Sequence, residues 1–211
     1  MATTAARGVP GGAAISRIAR RFIAACVLAA LAACKVDSIH PITPADEARP
    51  DSAIYGVWQH REKDEITYVH IGPEFSLSGD KPTRDTPRRM RIVLVEHKSN
   101  GLTDEEFVAH ASRVGPTRYL NVVQTERGKP VGFVLVRYAL ANRDMLRFAT
   151  IDEERLSAAI RAGRIEGTAR GGGMSSETAM TADPAEIAAF LRREGDALFT
   201  RPIVMRRLPA R

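Results

Sequence analysis

From Ala53 onward the chain alternates short apolar runs with polar breaks. Ala53 to His60, Ile66 to Ile71, Met90 to His97, Tyr119 to Thr125, Val131 to Leu140 and Met145 to Ile151 are rich in Val, Ile, Tyr and Phe and end at Gly, Pro, Asn or charge clusters. Pro202 to Leu208 adds a last run. About seven to eight strands with short polar turns predict an antiparallel β-barrel or a strongly curved sheet. In Val131 to Leu140 both parities are apolar: Val131, Phe133 and Leu135 on one, Val134, Val136 and Tyr138 on the other. A strand of that kind is covered on both faces, so something must pack outside the sheet.

Three segments with helical spacing are expected to do so, which makes the predicted class α+β. Thr103-Asp104-Glu105-Glu106 reads as a capping box before the stripe Phe107, Ala111 and Val114. Thr150-Ile151-Asp152-Glu153 repeats it before Leu156, Ala159 and Ile160, with Gly163 as the stop. Asp183-Pro184-Ala185-Glu186 opens a third helix, with Pro at the first helical position and Ile187, Phe190 and Leu191 as its stripe. Arg170 to Ser176 reads as a loop.

Upstream, the pattern changes. Arg17, Arg20 and Arg21 precede the apolar run Phe22 to Ala33, which ends in small residues before Cys34. Residues 1–33 thus have the three parts of a secretory signal. A run of this length rises about 18 Å as a helix against a hydrocarbon core of roughly 30 Å, so a cleaved signal is favoured over a membrane-spanning helix. Phe22 directly follows the arginine pair, which favours ordinary secretion over a twin-arginine route. Residues 34–52 hold Pro41, Pro44 and Pro50 without apolar periodicity. They read as a tether that, at about 3.1 Å per residue, lets a domain over 53–211 stand clear of a membrane.

Charge and cysteine use narrow the function. The formal charge of +6 includes four arginines and no acid within residues 1–33. Removing them leaves 27 Lys plus Arg against 25 Asp plus Glu, a net of +2. That is too close to neutral for a nucleic-acid partner. Cys26 would leave with the signal, so Cys34 would be the only cysteine of the mature chain. An internal disulfide, a thiolate metal site and a catalytic thiol within the fold are then excluded.

Leu31-Ala32-Ala33-Cys34 resembles the lipobox of bacterial lipoproteins. The resemblance implies acylation of Cys34 and cleavage before it. Several acyl chains bury far more than the one chain that gives marginal anchoring. Lys35, rather than Asp, follows the cysteine, which by the same resemblance favours the outer membrane and a periplasm-facing domain. Gly56-Val57-Trp58 resembles the Gly-x-Trp signature of lipocalins, whose Trp closes the barrel floor and stacks against an Arg of the final strand; Arg206 and Arg207 stand in that place. More loosely, Ala53 to Leu208 resembles uncharacterised bacterial lipoproteins that combine such a strand with C-terminal helices. A Thr-Asp-Tyr motif is absent and three helices exceed the usual one, so the resemblance implies a modified barrel, its centre either side-chain filled or open to ligand.

The remaining candidate chemistry is sparse. His60, His70 and His97 could bind zinc, but they lack HExxH-type spacing and read as strand-edge residues, with no metal or cofactor expected; His40 and His110 read as solvated. Glu62, Asp64 and Glu65 read as a hairpin tip rather than an acid/base pair. Arg84, Arg88, Arg89 and Arg91 form a candidate patch for anionic lipid headgroups. Ser175 and Ser176 lack a nucleophile elbow, and Gly171-Gly172-Gly173 lacks the Lys-Ser/Thr of a phosphate loop. No catalytic residue is assigned. The leading expectation is a membrane-anchored envelope lipoprotein that binds an apolar or amphipathic small molecule or supports envelope maintenance. A subunit docking an envelope protein is the alternative, and a periplasmic hydrolase ranks third.

Overall fold

The computed structural model describes residues 36–63, 65–74, 88–98, 101–170 and 177–209. Eight antiparallel strands close a barrel: β1 (Gly56–Glu62), β2 (Glu65–Pro73), β3 (Met90–Lys98), β4 (Gly101–Val114), β5 (Thr117–Glu126), β6 (Lys129–Asn142), β7 (Met145–Thr150) and β10 (Ile203–Arg207). They follow one another around the wall in chain order, and β10 sits between β7 and β1. Between β7 and β10 the chain forms helix α1 (Glu153–Arg161), the hairpin β8 (Gly167–Arg170) and β9 (Glu177–Met180), and helix α2 (Pro184–Glu194).

The two apolar parities of β6 divide as its sequence requires. Val134, Val136 and Tyr138 join Val69, Ile92, Leu120 and Met205 inside the barrel, while Leu135 joins a second core outside it. That outer core takes Leu156 and Ala159 from α1 and Ile187, Phe190 and Leu191 from α2. The cover on the outer face of β6 is therefore helical, as expected for those two segments. Asp152 caps α1, accepting from the Arg155 amide at 3.2 Å, and Asp183 caps α2, accepting from the Glu186 amide at 2.9 Å.

The expected third helix is a strand. Thr103 to Val114 lies in β4, which pairs with β3 from Gly101 to Ala109 and with β5 from Ala109 to Val114. Phe107 and Ala111 fit a helical stripe, but with Ala109 between them they also alternate, and two neighbouring strands satisfy the backbone where one capping box would satisfy only its ends. Two α-helices are found among the described residues, and the protein is mostly β. The short pair β8 and β9 was not legible either, since neither has an apolar run of its own.

The Pro-rich tether is also corrected, because from Val36 on it is laid against the barrel. Beyond the end of β7 the edge of β6 is unprotected, and residues 37–39 pair there: Phe133 N–H donates to Ser38 O at 2.8 Å, and Met180 N–H of β9 donates to Asp37 O at 2.9 Å. Asp37 and Ser38 are fully buried, and the Asp37 carboxylate accepts from Leu135 N–H at 3.0 Å. At Gly132 an added Cβ would lie 2.7 Å from the Ser38 carbonyl oxygen, so the close approach needs glycine. Next, Ile42 N–H donates to Asn121 Oδ1 at 2.8 Å and His110 Nε2 donates to Thr43 O at 2.8 Å. The belt lies on the outer faces of β6, β5 and β4, then crosses one barrel end, where Ile54 is buried.

His110, expected on a solvated helix, is 1% exposed under this belt. Burial lowers its pKa from 6.5 against the Thr43 bond, which raises it, and the Arg89 charge adds to the lowering. The unfolded chain then binds more protons below about pH 6.5, so stability is held above that pH and lost as pH falls through the depressed folded value. The slope from this one residue is at most about 1.4 kcal/mol per pH unit. Urea midpoints between pH 7.5 and 5.5 should fall in the native chain and fall less in His110→Gln; equal slopes in the two would remove His110 as the source.

Candidate functional site

Trp58 closes one end of the barrel. It is fully buried, its indole N–H donates to Ile54 O at 2.8 Å, and the Arg207 guanidinium lies over its ring at 4.1 Å from the centroid. Arg207 is held by three carbonyls: Tyr55 O, Ala53 O at 2.8 Å and Arg143 O at 2.8 Å. A Cβ on Gly56 would stand 2.8 Å from an Arg207 nitrogen, and its φ of +132° suits glycine, so Gly56 leaves room for the guanidinium. Arg206 pairs with Gln59 and Met145 in register and its side chain is exposed. Beside this floor Asp51 accepts from Tyr138 Oη at 2.9 Å and Arg118 at 3.1 Å. Burial and that bond push the Tyr138 hydroxyl well above its usual range.

Above the floor the interior is apolar. A small cavity of about 40 Å³ is lined by Val69, Leu94, Val122, Phe148, Ile203 and Met205 among others.

Toward the other end the lining becomes polar. Paired residues of antiparallel strands share a face, so register assigns the mouth. Leu94 pairs with Glu105, Thr67 pairs with both His60 and Glu96, and Glu62 pairs with Glu65. Thr67 and Gln124 lie two residues beyond the cavity residues Val69 and Val122. His60, Thr67, Glu96, Glu105 and Gln124 therefore face inward above the cavity, with Glu62, Glu65 and Lys98 at the outer rim. Lys98 bonds Glu96 at 2.6 Å. Burial, with the Glu96 charge, pushes the Glu105 carboxyl above its usual range.

The wall is also less continuous at the mouth. β4 and β5 pair only over Ala109–Val114 and Thr117–Val122, and β1 and β10 only at Trp58–Arg207 and Gln59–Arg206. Toward the mouth the barrel becomes two four-stranded sheets, β1–β4 and β5–β6–β7–β10, facing each other across the cavity. His60 sits at one seam, its Nδ1 3.0 Å from Val204 O.

The other sequence candidates lie apart from this constellation. Cys34, Arg84, Asp64, Ser175 and Ser176 fall outside the described residues. Arg88 is exposed, Arg89 pairs with Glu74 at 2.8 Å, and Arg91 pairs with Glu106, so two of these cations carry carboxylate partners. They lie toward the floor end. His70 and His97 are exposed on the outer face and do not meet His60, and His40 is exposed on the belt. Among the described residues no group of three or more His, Cys, Asp or Glu side chains is placed to hold a metal. Glu96 and Gln124 were not singled out in the sequence and Glu105 was read only within a helical capping box, although each continues the inward parity of its strand. Comparison with protein-family models, curated proteins and solved structures finds no match for the chain.

Proposed function

We propose that this is a lipid-anchored envelope protein whose barrel, of a modified lipocalin type, receives the apolar part of an amphipathic small molecule through a mouth turned toward the membrane. The observation that carries the ligand reading is the apolar cavity between the Trp58–Arg207 floor and the polar mouth. Ligand sites commonly combine an apolar wall with a few polar groups. At about 40 Å³, against roughly 300 Å³ at the lower end for a drug-sized body, it holds only the tip of an alkyl chain while the barrel stays closed. The two seams give such a chain a way to part the sheets.

The anchor supports the orientation. Val36 packs against Gly132, which pairs with Gln124 at the mouth end. Two residue steps separate Val36 from Cys34, about 7 Å of extended chain. An acylated Cys34 would hold the mouth near the bilayer instead of letting the barrel stand clear of it.

Native mass spectrometry of the protein released from its own membranes tests both halves. The expected result is an acylated N-terminal Cys34 peptide and a retained amphipath. An unmodified Cys34 would remove the anchor, and a ligand-free protein that also takes up no alkyl-chain probe would remove the binding reading. In that second case a stoichiometric co-purifying envelope protein would favour the docking-subunit alternative.

A further inference from the structure

We propose that the mouth selects amphipaths whose head is cationic and donates hydrogen bonds, with a primary alkylamine as the simplest example. The inference rests on the cavity reading above and adds the head group to it. It starts from the position of the acceptors. Glu105 is the cross-strand partner of Leu94, a cavity residue, and Glu96 follows two residues later with a side chain only 17% exposed. Glu62 and Glu65 continue the same face outward, and among the described residues Lys98 is the one cation on it. A head group seated above the cavity therefore meets four carboxylates and one ammonium, all from the β1–β4 sheet.

One buried atom points the same way independently of the carboxylates, and a second marks a polar position at the same mouth. His60 Nδ1 faces the Val204 carbonyl, which can only accept, so Nδ1 carries the hydrogen and Nε2 of the neutral ring is an acceptor. That Nε2 is buried with no hydrogen-bond partner among the described residues. Gln124 is 6% exposed, and its Nε2 is likewise buried without a partner. Its amide nitrogen is a donor, so it marks a polar position without favouring a cation over a neutral head. Buried polar groups are normally paired, so both mark a place for a polar group of a ligand. An ammonium supplies three donors and offsets the carboxylates at the mouth; a carboxylate head would add like charge to them.

Dodecylamine, dodecanol and dodecanoate share a tail and differ in the head, which makes them the probes. Native mass spectrometry of the full chain held in amphipol, titrated with each, should give dodecylamine a roughly tenfold advantage over dodecanoate, as charge-assisted bonds predict. The double substitution Glu96→Gln with Glu105→Gln should bring that ratio close to one. Val122→Trp, which fills the cavity, should weaken uptake of all three tails, with Phe148→Trp as a second filling variant if the first fails to fold by circular dichroism. Equal or tighter dodecanoate binding overturns the proposal, as does a preference that survives the double substitution. Dodecylamine bound undiminished by a folded, cavity-filled variant reduces the effect to surface charge and overturns it too. If none of the three binds the native chain, the cavity reading itself fails, an outcome distinct from loss of head-group preference alone.

Discussion

Trp58→Ala is expected to destabilise the protein by about 3–5 kcal/mol, the upper range for truncating a core side chain. The indole is fully buried, and its removal takes away three things together. It leaves a void beside Ile54 and Met90, both also fully buried. It deprives Ile54 O of its indole donor at 2.8 Å. It also removes the aromatic face under Arg207, a contact of roughly 0.5–2 kcal/mol. Arg207 keeps its three carbonyl partners, so the floor should loosen around the tryptophan rather than lose the arginine. Trp58→Phe should lose less, because the ring remains and only the N–H bond and part of the volume go. As Trp58 is the only tryptophan, urea unfolding should be followed by circular dichroism. A loss under about 1 kcal/mol for the alanine variant would show that the Ile54 plug seals the floor without the indole.

The floor and the wall differ in how visible they were in the sequence. Gly56-Val57-Trp58 and the arginines of the last strand could be named because the signature is contiguous at each end, and seven of the strands have apolar runs of their own. The choice of Arg207 over Arg206 was not readable, since it depends on which parity of β10 faces inward, and one residue of register decides it. β4 was misread for a related reason. Its apolar positions fit both periods, and the deciding partners, β3 on one side and β5 on the other, are contacts that local propensity does not encode. The mouth was missed because Glu96 and Gln124 read as surface charge and polarity, and Glu105 as part of a helix cap, until the strands are placed side by side. The belt was missed because Ile42 and Ala48 are too widely spaced to form a periodic stripe, and their burial comes from neighbours far along the chain.

Asn121→Leu probes that belt most directly, with an expected loss of about 2–4 kcal/mol at nearly conserved volume. Asn121 is fully buried on the outward parity of β5 and joins polar groups of the belt and of β4. Its Oδ1 accepts from Ile42 N–H at 2.8 Å, and its Nδ2 donates to Ser112 Oγ at 2.8 Å and His110 O at 3.2 Å. Leucine meets none of these, and the Ile42 amide would be left facing an apolar group, which costs about 1–3 kcal/mol by itself. The relief available to the chain is to lift residues 40–44 from the wall. Lifting would expose His110 to water and break its bond to Thr43 O. Two readouts then separate a local from a global effect. Hydrogen exchange at Ile42 should rise more than exchange at barrel amides such as Val122 and Val136, and the pH slope assigned to His110 should shrink because a solvated imidazole titrates alike in both states. Unchanged protection at Ile42 would mean that the pairing of residues 37–39 with β6 and β9 holds the belt without Asn121.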